Sequence, residues 1–503
     1  MENQSEVRTA FGAPKPLSPL IYRLLSPAQQ FQKTEFAGGA VLLIATIIAL
    51  VWSNSPWKSA YFHFWQSPLS LQLATFQLSK PLLLWVNDAL MAVFFFVIGL
   101  EIKREILAGE LANPRNAFLP VIAAFGGMII PSGVYAATVQ LMDGGQDALR
   151  GWGIPAATDI AFSLGALSLL GARVPASAKV FLTTFAIADD IGATLIIALF
   201  YTGAVKVGAL LWAALALCIM FVGNRLGIRA TTYYAILACG VWFAFLKSGV
   251  HPTIAGFLAA FAIPSFRRIE PMKFLDDARN VLDEFEKSII SREDRYQERS
   301  SQAQQSHFAS VERSARIVQT PLQRLEAALH PWVAFVVLPV FALANAGVTF
   351  PATLDSILVL MSHPVTLGVL AGLVIGKPLG IYGATVLAAK TGWFQLPRQL
   401  DRTHLLGLSF LGGIGFTMSI FIASVGFGSG HGGGQGAGHF EAATFGRGQE
   451  YSHHAGSPVE SSAAKLGILF GSIIVGGIGV GVLSRNSHRT ARRDAQRATK
   501  SSD

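Results

Sequence analysis

The sequence contains little charge and few cysteines. Only 14% of its 503 residues are charged, against about a quarter in soluble proteins, and its mean hydropathy is +0.47. The two cysteines, Cys218 and Cys239, lie apart in apolar runs, which argues against a disulfide framework or a cysteine zinc site. Residues 1–35 are polar, so no cleaved signal peptide is expected. These features predict a protein whose solvent is mainly lipid.

Twelve apolar runs can be recognised, most of them close to the ~20 residues that cross a membrane. They cover residues 36–53, 82–100, 117–138, 152–171, 178–201, 207–223, 230–246, 249–264, 331–349, 366–389, 404–425 and 465–483. Twelve spans place both termini on one side of the membrane. Of the 39 Lys and Arg residues, 31 fall on that side, 7 on the other and one, Lys377, within a span. This asymmetry predicts cytoplasmic termini, and it accounts for the net charge of +9 without a nucleic-acid partner.

The runs divide the chain into membrane-embedded and polar parts. In order, these are a cytoplasmic N-terminal segment (1–35), eight spans (36–264), a charged cytoplasmic connection (265–330), three spans (331–425), a Gly-rich extracytoplasmic insert (426–462), a last span (463–484) and a basic cytoplasmic tail (485–503). The insert has the composition of a linker. The architecture expected is therefore an all-α integral membrane protein with twelve transmembrane helices.

Charged side chains inside the apolar runs point to the function, because a charge at the bilayer centre costs ~2.5–3.5 kcal/mol on insertion scales. Asp189 and Asp190 are adjacent in the middle of the run 178–201. Adjacent helical positions point ~100° apart, and two neighbouring carboxylates resist being ionised together. The pair therefore predicts a site that holds either protons or a hard cation on oxygen ligands. The alternative is a structural ion pair with a buried base.

Other polar residues in the runs allow both a structural and a functional interpretation. Thr158 and Asp159 resemble a helix N-cap, which at membrane depth would divide the span into two half-helices. The stretch 412–419, Gly-Gly-Ile-Gly-Phe-Thr-Met-Ser, is a second candidate break, although its glycines also suit close helix packing. Lys377 is either a counter-charge or a proton carrier. Asp88 is either interfacial or functional.

Ten short motifs occur in order, and together they resemble the bacterial NhaA-type Na+/H+ antiporter family. They are WVNDALMAVFF (85–95), GLEIKRE (99–105), ATDIAF (157–162), AIADDIG (186–192), GVH (249–251), RLE (324–326), HPWV (330–333), ANAG (344–347), GKPLG (376–380) and GGIGFTMSI (412–420). Each motif alone is weak, whereas their order along the chain is specific. The long charged connection and the Gly-rich insert depart from the family pattern.

The resemblance implies a fold with an inverted repeat and two discontinuous helices that cross near the midplane, an architecture for which this family is itself a standard example. It implies that Asp189 and Asp190 bind Na+ and exchange protons. Thr158, Asp159 and Lys377 would support that site.

The family pattern implies further roles near the two ends of the spans. Asp88 would add to the support of the site. The residues implied in a response to pH are Glu101, Arg104, Glu105, His251 and Glu326. Without the family, Glu101 is more simply a solvated helix end, and His251 a hydrogen-bonded residue at a helix start.

The expected function is secondary transport and not an enzymatic reaction. The chain would extrude Na+ or Li+ in exchange for H+ across the bacterial inner membrane, electrogenically and faster at alkaline pH, for sodium and pH homeostasis. It would need no cofactor, its partners would be these ions and the bilayer, and a homodimer is compatible with the sequence.

Three other classes of protein were compared with this interpretation. A proton-coupled symporter would need a larger polar or aromatic pocket, and no residue cluster indicates one. An intramembrane aspartyl hydrolase needs carboxylates on different helices facing one water, which consecutive aspartates disfavour, although Asp159 with Asp190 stays open. A channel is the weakest of the three.

Overall fold

The computed structural model describes residues 35–73, 76–171, 174–266, 320–350, 353–391, 400–428 and 458–500. Most of the predicted N-terminal segment, connection and Gly-rich insert lies outside these ranges. Helices make up most of the described chain, and the expectation of a helical membrane protein is confirmed.

The helices are numbered in chain order. They are α1 (Glu35–Ser53), α2 (Lys58–Gln66), α3 (Leu82–Ala108), α4 (Pro114–Leu141), α5 (Gly145–Leu149), α6 (Ile160–Ser168), α7 (Ala176–Phe200), α8 (Val207–Arg225), α9 (Thr231–Ser248), α10 (Pro252–Ala262), α11 (Pro321–Asn345), α12 (Leu354–Met361), α13 (Pro364–Lys390), α14 (Arg402–Leu411), α15 (Phe416–Gly426) and α16 (Pro458–Lys500). Short 3-10 turns occur at Glu110–Ala112 and Arg150–Ala156. Turns of π-helix lie within α3, α11 and α13, at Val86–Leu90, Val333–Val337 and Gly372–Gly376.

Seven of the described helices are long and apolar enough to cross a membrane: α3, α4, α7, α8, α11, α13 and α16. Two bent pairs, α1–α2 with a bend of 114° and α14–α15 with a bend of 44°, raise the number to nine if each pair is one span. The count of twelve remains a prediction, because runs such as 152–171 and 249–264 form shorter pieces in the structure. The helices α3 to α16 nevertheless form a multi-span membrane protein.

The spans differ in how deeply they are enclosed by their neighbours. The apolar stretch of α7 is 67% buried and that of α8 only 17%. Large apolar side chains such as Leu211 and Trp212 lie exposed on α8, as expected of a surface whose solvent is hydrocarbon. The helix that carries the aspartate pair is therefore the most enclosed of the seven.

Two helix pairs approach so closely that only glycine fits at the contact. A Cβ atom on Gly126 of α4 would meet the carbonyl oxygen of Gly380 in α13, and one on Gly380 would meet that of Gly126. In α10, a Cβ on Gly256 would meet the carbonyl oxygen of Ala92 in α3. Small residues allow such backbone contact in membranes, where helices associate by packing. These contacts fix α4 against α13 and α3 against α10.

A β-hairpin that the apolar runs do not predict lies between α2 and α3. Strands β1 (Pro68–Leu73) and β2 (Phe76–Pro81) pair antiparallel, with Ser70 opposite Ser79. The alternation of Leu69, Leu71 and Leu73 with polar residues is the period-2 signal of a strand, although the segment lies between the predicted spans 36–53 and 82–100.

The start of α11 also differs from the sequence-based expectation. The helix begins at Pro321, ten residues before the apolar run at 331 and inside the predicted connection 265–330. Thr320 and Gln323 form a capping box there, with each side chain bonded to the other residue's backbone N–H. Such a signal defines a helix start in a polar stretch, which a search for apolar runs overlooks.

Candidate functional site

Two interrupted segments lie against each other in the centre of the protein. The first is extended at Ala157 and Asp159, between the 3-10 turn that ends at Ala156 and the start of α6. The second is the link Gly412–Gly415 between α14 and α15. The backbone N–H of Asp159 donates to the carbonyl of Ile414 at 2.6 Å. The expectation of two broken segments, at Thr158 and at 412–419, is therefore confirmed.

Hydroxyl side chains join the two breaks. Thr158 donates to Gly412 O at 2.8 Å, and Ser163 to Leu411 O at 2.8 Å. Ser419 donates in the opposite direction, to Ile154 O at 2.7 Å. Breaking a helix leaves carbonyls without intrahelical partners, and these hydroxyls satisfy three of them. Ser419 lies inside the predicted break at 412–419, whereas Ser163 was not a predicted site residue, although small hydroxyl residues beside a break are a usable signal.

Asp159 caps the N-termini of two helices at once. Its Oδ1 accepts from the N–H of Phe162 in α6 at 3.1 Å. Its Oδ2 accepts from the N–H of Thr417 in α15 at 2.8 Å and also from the Thr417 hydroxyl. Helix N-termini carry partial positive charge, and here two of them face one carboxylate that is 2% exposed. The N-cap interpretation of Asp159 thus describes its geometry.

Lys377 lies beside the carbonyl end of the 3-10 turn that leads into this crossing. Its ammonium group is fully buried and donates to Asp189 Oδ2 at 3.1 Å and to the carbonyl of Ala156. Ala156 ends the 3-10 turn, where carbonyls carry partial negative charge. Lys377 therefore neutralises both the Asp189 carboxylate and the carbonyl end of the 3-10 turn, as a counter-charge does.

The π turn in α13 determines where Lys377 points. It spans Gly372–Gly376 and is followed directly by Lys377 and Pro378, whose ring nitrogen cannot donate a helical hydrogen bond. Gly372 and Gly376 lie against Pro155 and Pro131, leaving no space for a Cβ atom. Since π turns occur frequently at functional sites, this local structure links the GKPLG motif to the placement of one ammonium group.

The two adjacent aspartates have different partners. Asp189 is fully buried and pairs with Lys377 through Oδ2, while its Oδ1 has no hydrogen-bond partner among the described residues. The hydroxyl of Thr158, which donates to Gly412 O, and the backbone N–H of Thr158 lie close to the Asp189 carboxylate. Asp190 is 3% exposed, and its carboxylate accepts no hydrogen bond from the described part of the chain. The alternative of a structural ion pair with a buried base therefore describes Asp189, which pairs with Lys377, and does not describe Asp190.

The charges around Asp190 are mostly negative. Asp189, Asp159 and Glu101 lie within electrostatic reach of it, and Lys377 is the positive charge that acts against them. With all three aspartates and Lys377 ionised, the central group carries a net charge of −2, three negative charges against one positive. Uncompensated charge in a dry interior is costly, so this group favours uptake of protons or of a cation.

Four of the five residues implied in a pH response meet at the end of α3. Arg104 contacts Glu326 of α11, Glu105 at 2.9 Å and Glu101 at 4.0 Å. The side chains are 37% exposed at Arg104 and 11% at Glu326. The fifth residue, His251, is elsewhere: it caps the N-terminus of α10, with Nδ1 2.8 Å from the hydroxyl of Thr253.

Asp88 pairs with a residue of the hairpin. It is 1% exposed and accepts from Lys80 of β2 at 2.8 Å. The indole N–H of Trp242 donates to the carbonyl of Asp88 at 2.9 Å, and the neighbouring Asn87 accepts from Asn345 at 2.8 Å. The sequence analysis did not single out Lys80, because no short-range pattern connects it with a carboxylate eight residues later.

The chain is similar to known proteins over most of its length. A family described as Na+/H+ antiporter 1 matches residues 29–483. A protein of Oleidesulfovibrio alaskensis named Na(+)/H(+) antiporter NhaA is 48% identical over 415 residues, which cover 82% of this chain and 89% of the relative. Na(+)/H(+) antiporter NhaA 2 of Syntrophotalea carbinolica is 41% identical over 469 residues, 93% of this chain and 98% of the relative.

A third relative, Na(+)/H(+) antiporter NhaA of Koribacter versatilis, is 45% identical over 410 residues, 81% of this chain and 86% of its own. Broken helices bonded across an aspartate, a buried aspartate pair and family similarity from residue 29 to residue 483 lead to the same conclusion. The chain belongs to the NhaA family of Na+/H+ antiporters, which are membrane transporters and not enzymes.

Proposed function

We propose that this protein exchanges Na+ or Li+ for protons at Asp189 and Asp190. The observation that carries the proposal is the buried Asp190 carboxylate, which forms no ion pair with any described residue and lies beside a neighbour already paired with Lys377. Loss of protons from the pair leaves oxygen ligands of the type that hard cations prefer. A bound Na+ and bound protons would therefore exclude each other, and this competition is the exchange reaction.

Alternating access would take the bound ion across the membrane. The chain would contain twelve spans with an inverted repeat, and access would switch around the crossing of the two broken segments. Asp159 with Thr158 and Lys377 would hold this crossing together, which their bonds to Thr417, Gly412 and Ala156 support. Asp88 would support it from the hairpin side.

Direction and charge movement follow from the same site. Both termini would be cytoplasmic in the bacterial inner membrane, with Na+ leaving the cell and protons entering. If release of two protons is needed for one Na+, each cycle moves one net charge, and the membrane potential drives extrusion. Such exchange would serve sodium and pH homeostasis, and a homodimer is compatible with this proposal.

Transport would increase at alkaline pH. Low pH protonates the aspartates, which removes the cation ligands. A second level of control would involve Glu101, Arg104, Glu105 and Glu326, whose partial exposure lets them equilibrate with the cytoplasm, together with His251. The electrostatic interaction of Glu101 with Asp190 supports a connection between the two groups.

Purified protein in liposomes tests the exchange. An outward Na+ gradient should drive proton uptake that a pH dye reports, Li+ should replace Na+ and choline should not. A clamp of the membrane potential at zero should increase the initial rate if each cycle moves net charge. Absence of Na+-driven proton movement in well-incorporated protein would refute antiport, and proton flux that needed an organic solute would favour the symporter.

A further inference from the structure

The C-terminal end of α10 is buried and is capped by three other helices. Ala262, Ile263 and Pro264 are all buried there. The side-chain amide of Asn224 in α8 donates to Ala262 O at 2.9 Å. The backbone N–H of Leu322 in α11 donates to Pro264 O at 3.2 Å. Buried carbonyls at a helix end need such partners, so this end of α10 is a junction of helices.

Lys103 of α3 supplies the remaining two hydrogen bonds. Its ammonium group donates to Phe261 O at 2.6 Å and to Ile263 O. No carboxylate of the described residues forms an ion pair with it. A lysine at a helix C-terminus interacts favourably with the last carbonyls and with the negative end of the helix dipole. The lysine between Glu101 and Arg104 in the GLEIKRE motif is therefore bonded to backbone.

The last turns of α3 are held from two sides. Two positions along a helix correspond to a rotation of ~200°, so Lys103 and Glu101 point in roughly opposite directions. Lys103 reaches α10, whereas Arg104 reaches Glu326 of α11. One turn earlier, a Cβ atom on Gly99 would contact Ala260 and Phe257 of α10. The contact with α11 consists of several ionisable side chains, and the contact with α10 consists of the Lys103 ammonium group and backbone carbonyls.

We propose that Lys103 is a positioning residue of the antiport cycle. By anchoring α3 to the carbonyl end of α10, it keeps the turn of α3 that carries Glu101, Arg104 and Glu105 (the acidic turn) at a fixed distance from Glu326. The inference rests on the proposed pH response of this cluster and adds a residue to it. While Lys103 keeps its proton and holds the α10 side, a change in protonation of the glutamates between α3 and α11 alters only the contact between those two helices. Without the anchor, the acidic turn can shift relative to Arg104 and Glu326.

The direction of the effect follows from the charges around Lys103. The charged or titratable groups on the elements packed around Lys103 are Glu101, Arg104 and Glu105 of α3, Glu326 and His330 of α11 and Arg225 of α8, whereas α10 presents carbonyls here. None of the described carboxylates forms an ion pair with Lys103, but Glu101 and Glu105 are each only two positions away along α3. Removing the positive charge of Lys103 therefore weakens the through-space stabilisation of their ionised forms and makes them easier to protonate. Loss of Lys103 should therefore move the onset of transport to higher pH.

The test measures Na+/H+ antiport against pH in everted vesicles for the full chain and for three variants. Lys103→Gln removes the cation, Lys103→Arg retains it, and Asn224→Ala is the matched control because it removes another side-chain donor from the same end of α10. We expect Lys103→Gln to shift the half-maximal pH upward by about half a unit or more. Lys103→Arg and Asn224→Ala should keep the profile of the unmodified protein.

Other outcomes overturn the inference in distinguishable ways. A flat pH profile in the unmodified protein refutes the proposed pH response and this inference with it. A rising profile that Lys103→Gln leaves unchanged refutes the role of Lys103 alone. Equal shifts in Lys103→Gln and Asn224→Ala would reduce Lys103 to one helix cap among others.

A second variant keeps the test decisive if Lys103→Gln does not accumulate in the membrane. Lys103→Cys, in a chain lacking Cys218 and Cys239, is compared before and after aminoethylation, which restores an ammonium group in the same sample. Return of the profile to lower pH on aminoethylation supports the inference, and an unchanged profile overturns it.

Discussion

The central site and the C-terminal end of α3 are built from similar groups and differ in burial. Each contains three carboxylates around one strong base: three aspartates with Lys377, and Glu101, Glu105 and Glu326 with Arg104. In the centre, the side chains of Asp189 and Lys377 are 0% exposed, whereas Arg104 is 37% exposed. Solvent screens the second group and leaves the first unscreened.

Because they differ in burial, the two groups of charges are suited to different functions. A charge that cannot be screened must be balanced by an ion or a proton, which suits a site of exchange. Charges that solvent reaches change their protonation with the pH of that solvent at little cost to folding, which suits a site of response. Removing one group should therefore have a large effect on transport in the centre and a graded effect on the pH profile at the end of α3.

The largest effect is expected for Asp190→Asn. Because a neutral amide cannot exchange protons for a cation, Na+-dependent dissipation of the pH gradient in everted vesicles should fall at least ~100-fold, in the range lost when a proton-transferring group is removed. Asp147→Asn is the matched control, since that aspartate is 66% exposed and lies beside Arg150. Activity like that of the unmodified protein in Asp190→Asn would refute the exchange site.

A smaller loss of transport with a large loss of stability is expected for Lys377→Gln. Removing one partner of a buried ion pair costs about 3–5 kcal/mol because the other charge is left uncompensated. The thermal midpoint of the purified protein should fall markedly, and adding Asp189→Asn should recover part of the loss. If the double variant is as unstable as the sum of the two single variants, Lys377 and Asp189 are not coupled.

The smallest effect on maximal rate is expected for Glu326→Gln. Its pair with Arg104 is partly exposed, so the stability change should be within about 1 kcal/mol. Arg104 would then act on Glu101 and Glu105 alone, and these would ionise more readily. The half-maximal pH should move downward, by about half a unit, with the maximal rate kept within about twofold. A lost maximal rate at every pH would place Glu326 with the exchange site instead.

Much of the fold could be predicted because lipid makes spans apolar. The runs at 82–100, 117–138 and 178–201 correspond to α3, α4 and α7, and the breaks at Thr158 and 412–419 carried visible cap and glycine signals. The 114° turn from α1 into α2 and the hairpin could not be predicted from apolar runs, because both depend on contacts outside them.

The distinction between the two central aspartates was also beyond the sequence. Asp189 and Asp190 are equivalent by composition, and only the direction of approach of α13 decides that Lys377 bonds to Asp189. The pairing of Asp88 with Lys80 likewise depends on how the hairpin folds back. Sequence patterns indicated which residues are costly in a membrane, and packing determined which of them are compensated.

The π turns in α11 and α13 affect the direction of the side chains that follow them. A π turn corresponds to a single extra residue in an α-helix, and one residue corresponds to ~100° of rotation. In α11 and α13 the π turn ends directly before a Leu-Pro or Lys-Pro pair, at Val337 and at Gly376. The direction of the Lys377 side chain towards Asp189 therefore depends on the number of residues that precede Lys377 in α13. Insertion or deletion of a single residue between Gly372 and Gly376 would rotate Lys377 away from Asp189 without changing any charged residue of the sequence.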